Sequence, residues 1–83
     1  MGSAKALHRK RYGAFLARLV LAREQAKLTQ RAAAERLGRT QSFVAQSESG
    51  ERRVDFTEAE EFAVAYRVPI TFFVTPSGRR SSE

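Results

Sequence analysis

The stretch from Thr29 to Gly50, TQRAAAERLGRTQSFVAQSESG, constrains this chain more than any other part of it. Its pattern reads as two short helices about a tight turn. Gly38 stands where the chain must reverse, and glycine permits the positive φ that ends a helix. Thr29 and Thr40 each precede a helical run, where a side-chain oxygen caps the first free amides. Ala34, Leu37 and Val44 supply the small and apolar side chains that two crossing helices need at their contact. Gln30, Gln41, Ser42 and Gln46 are left facing outward, so the second helix carries a polar outer face.

That combination is a helix-turn-helix, whose second helix ordinarily lies in the DNA major groove. Charge points the same way. Residues 1–27 carry seven Lys or Arg against one Glu, and residues 28–53 carry five against three. Residues 54–83 reverse the sign, with three basic against five acidic, although the whole chain is +6. A basic, asymmetric domain is a prior for nucleic acid, and a merely solvated basic surface is the alternative. Eighty-three residues make one small domain, too short for a core and a large active-site cleft together. With no cysteine and His8 as the only histidine, disulfides, thiolate metal sites and multi-histidine sites are excluded. We expect no metal and no cofactor. Phe15–Ala22, the longest apolar run near the N-terminus, is interrupted by Arg18 and resembles neither a membrane span nor a signal peptide. The expected location is cytoplasmic.

Every long segment reads as helix, giving an all-α class: a compact bundle of about five short helices. Residues 1–6 are expected to be flexible, 7–75 to form the domain, and 76–83 to be a disordered tail rich in Ser, Gly and Arg. The first helix is expected from about Leu7 to Ala26, with Phe15, Leu19, Ala22 and Ala26 in its stripe. The next two run from about Gln30 to Leu37 and from about Gln41 to Glu48, and Ser49-Gly50 closes the latter. Asp55 with Glu58 has the form of a capping box opening a fourth helix, whose face carries Phe56, Ala59, Phe62, Ala63 and Tyr66. Ile70–Val74 is too short for its pattern to separate a helical turn from a strand.

Residues 15 to 74 resemble the Xre and lambda-repressor-like helix-turn-helix family. The signature is Thr29-Gln30, Ala34 four positions after the Gln, Gly38 eight after it, and Glu48-Ser49-Gly50 closing the recognition helix. The resemblance implies that Gln41, Ser42 and Gln46 face base edges, where Gln can pair with adenine in bidentate fashion. It implies that Gln30 contacts a phosphate and can brace Gln41, with Thr40 also at the DNA backbone. It further implies a partly buried bridge between Arg23 and Glu48, fixing the recognition helix to its scaffold. Arg52 and Arg53 are expected to reach phosphates, with a solvated loop as the alternative. Double-stranded DNA, as a near-palindromic operator, is then the expected partner, and transcriptional regulation the expected role.

Several residues depart from the family pattern. Arg39 replaces an apolar turn residue and is free to swing toward phosphate. Phe43 either packs on the neighbouring backbone or touches a thymine methyl. Ser47 forfeits burial worth about 1–2 kcal/mol unless its hydroxyl finds a partner. Arg67 replaces a frequent Gly, so the fourth helix is expected to end differently. Phe72, with Ile70, is read as a homodimer contact, and simple core packing is the alternative. A toxin protein bound by an antitoxin of this family is the competing partner. His8-Arg9-Lys10-Arg11 either lies along the DNA backbone or is only an exposed start to the first helix. Glu58, Glu60 and Glu61 look like the exposed acidic start of a helix, which suits its dipole, and we expect no enzyme.

Overall fold

A computed structural model describes residues 3–74, with side chains from Arg9 onward. Met1, Gly2 and the tail expected over residues 76–83 lie outside the described residues, as does the side chain of His8. Four α-helices follow one another: α1 (Ser3–Gln25), α2 (Gln30–Leu37), α3 (Gln41–Ser49) and α4 (Phe56–Tyr66), closed by a 3-10 turn at Ile70–Phe73. That turn settles the Ile70–Val74 ambiguity in favour of helix. Among the described residues all regular structure is helical.

α1 is not short. It spans 23 residues and begins at Ser3, ahead of the Leu7 start that apolar spacing gives. Spacing registers only positions that pack, whereas the Ala, Lys and Leu preceding them are strong helix formers and extend the run. The helix ends where Lys27 turns left-handed at φ 63°. Leu28 N–H then returns to the Arg23 carbonyl at 3.2 Å.

Local chemistry sets the other boundaries. Thr29 Oγ1 accepts from Ala32 N–H and Thr40 Oγ1 from Phe43 N–H, each at 3.0 Å. Gly38 and Gly50 take φ of 71° and 88° at the ends of α2 and α3. At Gly50 a side chain would also meet Leu16, whose Cδ1 lies 3.2 Å from where a Cβ would stand. Asp55 and Glu58 form the full reciprocal capping box.

The end of α4 corrects an expectation. Arg67 adopts the left-handed conformation that a glycine would, with φ 60° and ψ 44°. The strain is offset because Val68 N–H reaches the Ala63 carbonyl at 3.0 Å and Val68 packs against the core. Pro69 then prevents the helix from continuing.

The core is built around Leu19, Val44 and Phe62, all fully buried. Ala22, Ala33, Ala34 and Ala63 let the helices approach closely around them. Phe73 seats the final turn, its ring edge-on to Phe15 at 5.7 Å. Arg36 ties α2 to α4 by donating to the Ala65 carbonyl at 2.9 Å. α3 packs against α2 and α1, with Phe62 of α4 reaching Phe43, which leaves its outer face free.

Candidate nucleic-acid interface

The outer face of α3 is formed by Gln41, Ser42 and Gln46, all exposed. Its inner face is fully engaged. Val44 and Ser47 are inaccessible to solvent, and Phe43 stacks on Phe62 with centroids 5.7 Å apart and planes at 14°. Phe43 therefore packs on a side chain, inward, rather than on backbone or into the groove.

At the C-terminal end of α3, Glu48 meets Arg23 of α1 in a bidentate pair. Arg23 donates from Nε to Oε2 at 2.6 Å and from Nη2 to Oε1 at 3.1 Å. The same guanidinium donates to the Leu28 carbonyl at 2.8 Å. Its pKa is raised, chiefly by the hydrogen bonds to Glu48. Gln30 joins this bridge: its amide donates to Glu48 Oε1 at 2.9 Å, turning inward instead of toward Gln41.

Close by, Tyr66 is buried and its hydroxyl has no hydrogen-bond partner. Burial pushes the phenol pKa up, and the neighbouring Glu48 carboxylate adds to the rise. An unpaired buried hydroxyl is a cost, so Tyr66→Phe is expected to leave stability unchanged or raise it by about 1 kcal/mol. Thermal melting checks this, and a clear loss of stability would mean that the hydroxyl contributes a bond.

The opposite flank of α3 is held by two arginines that the sequence reading assigned to phosphate. Arg52 donates to both Glu58 oxygens, at 3.0 and 2.8 Å, and to Ser47 Oγ at 3.3 Å. Ser47 thus has the partner its burial requires. The hydrogen bonds from Arg52 lower the Glu58 pKa, and Glu58 in turn raises that of Arg52. Asp55 is lowered too, first by the Glu58 backbone N–H it accepts. Arg39 donates to Glu61 at 2.9 Å. Both guanidinium groups lie over the Phe43 ring, each 4.4 Å from its centroid.

Arg53 is exposed, its guanidinium stacked 4.4 Å from the Tyr12 centroid, and the Tyr12 hydroxyl accepts from Val54 N–H at 2.9 Å. Arg9, Lys10 and Arg11 are also exposed. Sequence reasoning missed Tyr12, Glu58 and Glu61 as supports of the interface. Only Glu58 left a local signal, its place in the capping box.

Ile70 and Phe72 are directed differently. Ile70 lines an apolar groove of about 270 Å³ shared with Phe15, Val54, Phe56 and Val74. Phe56 and Val74 remain 66% and 65% exposed there. Phe72 is half-buried under Arg18, whose guanidinium sits 4.1 Å from the ring centroid and donates to the Phe72 carbonyl at 2.8 Å. Among the described residues no helix is long and apolar enough to cross a membrane.

Two capped helices about a left-handed glycine, the second polar outside and bolted down inside, define a helix-turn-helix domain. The chain belongs to that family, residues 11–71 matching the family described as a helix-turn-helix domain. It is similar to the solved structure of an XRE-family like protein from Pseudomonas syringae pv. tomato str. DC3000. The two are 38% identical with a TM-score of 0.84, over 88% of this chain and 89% of that one. No curated protein matches the chain.

Proposed function

We propose that the chain is a sequence-specific reader of duplex DNA that regulates transcription, with α3 in the major groove. The observation that carries this reading is the division of α3. Its inward residues are all occupied, whereas Gln41, Ser42 and Gln46 stand exposed with no structural duty. These three then contact base edges. Thr40, Arg39 and Arg53 take the phosphates, together with the first amides of α3. Gln30 keeps one amide hydrogen for a phosphate after donating the other to Glu48. Arg52, held by Glu58, Ser47 and Phe43, we assign to the scaffold.

The same reading makes the binding species a homodimer joined through the turn carrying Ile70 and Phe72, acting in the cytoplasm as a non-enzymatic regulator. The open apolar groove beside Ile70 supports it. Two α3 helices about 34–36 Å apart would read the halves of a near-palindromic operator. Selection of bound duplexes from a random library at physiological salt tests the whole reading. The expected motif is two-fold symmetric, with half-sites about 10 base pairs apart. Binding without any enriched motif, lost steeply as salt rises, would leave only electrostatic attraction and overturn sequence-specific regulation.

A further inference from the structure

We propose that Glu61 is an internal counter-charge which occupies Arg39 in the free protein and yields it to a DNA phosphate. This inference rests on the DNA-binding reading above. Arg39 lies in the turn immediately before Thr40, the N-cap of α3. It is therefore the long cation next to the helix end whose free amides suit a phosphate. Its one hydrogen bond to Glu61 is 2.9 Å long, with the two side chains 36% and 46% exposed. An exposed single-contact pair is weak and opens readily.

The comparison within the molecule is informative. Arg52 has two bonds to Glu58 and a third to buried Ser47, and its side chain and that of Glu58 are 31% and 14% exposed. That pair is fixed. Arg39 has no equivalent anchor on the carboxylate side, but like Arg52 it lies against the Phe43 ring. The ring keeps the guanidinium beside the start of α3 once it leaves Glu61, since a cation within about 6 Å of an aromatic centroid is attracted to it. Glu61 thus opposes binding by holding Arg39, over and above the generic repulsion that any nearby carboxylate exerts on a phosphate.

The test uses the full chain and a generic duplex of about 20 base pairs, long enough for two helical turns. Binding is measured by fluorescence anisotropy across a salt series. Glu61→Gln is expected to tighten binding about 3–5-fold, with a salt dependence steeper by up to one ion. Arg39→Ala weakens binding, and adding Glu61→Gln to it restores no more than the generic gain of removing one nearby carboxylate. Glu60→Gln, which removes an exposed charge one residue away, measures the generic electrostatic gain and is expected to fall well below that of Glu61→Gln. A merely structural pair would lower the melting temperature of Glu61→Gln without tightening binding. No gain in Glu61→Gln, an equal gain in Glu60→Gln, or a full Glu61→Gln gain that persists in the Arg39→Ala background overturns the counter-charge while leaving DNA binding intact. Failure of every variant and of the parent to bind the duplex overturns both.

Discussion

Glu48→Ala is expected to lower the melting temperature by about 12–24 °C, the largest stability effect of any polar substitution in this domain. The physical basis is the Arg23–Glu48 pair, with side chains only 13% and 6% exposed. Removing one partner leaves the other charge buried and uncompensated, which costs about 3 kcal/mol or more. In a domain of this size each kcal/mol moves the midpoint by about 4–8 °C. The amide of Gln30 loses its acceptor in the same step. Replacing both partners, as Arg23→Met with Glu48→Leu, should recover most of the loss, because the desolvation of two ions is then removed together with their attraction. Thermal denaturation of the single and double variants decides the matter. Glu35 on α2 is exposed and serves as the reference. If Glu48→Ala melted with Glu35→Ala, the bridge would contribute nothing to holding α3 in place.

Gln41→Ala should act on specificity instead. Gln41 is the first residue of α3 and exposed, so its truncation is expected to change stability by less than about 0.5 kcal/mol. Discrimination at one base pair of the half-site should nevertheless fall by about 1–3 kcal/mol, the worth of a bidentate side-chain to base pair. That is a relaxation of about 5–150-fold between the preferred and the other bases. Arg53→Ala should do the reverse, weakening all sequences alike and reducing the salt slope by about one. Affinities for the selected site and its single-base variants, measured on both proteins, separate the two roles. A uniform loss from Gln41→Ala would remove it from the base-reading set.

What could be read from the sequence is what the chain encodes locally. Thr29, Thr40, Gly38 and the Asp55–Glu58 box each act within four residues of their own position, so residue type and spacing suffice. The Arg23–Glu48 contact spans 25 residues and was accessible only through family resemblance. The pairs Arg52–Glu58 and Arg39–Glu61 were not legible, because they depend on how the loop after α3 and the register of α4 bring side chains together. For the same reason Phe43 looked ambiguous: nothing in its neighbourhood in the chain announces Phe62 beneath it. Arg67 misled through propensity, which ranks residues by average cost, whereas here two backbone hydrogen bonds and a packed Val68 outweigh it.

The separation of duties on α3 bears on how such a domain changes over generations. Nine residues hold the fold on one side and, on the proposed reading, meet an operator on the other, with no position shared between Val44, Ser47 and Glu48 and the outward trio. Substitutions at Gln41, Ser42 and Gln46 therefore incur almost no folding penalty. A duplicated copy can drift to a new target without passing through an unstable ancestor. Two such paralogues would stay superimposable in structure long after they had ceased to compete for the same site.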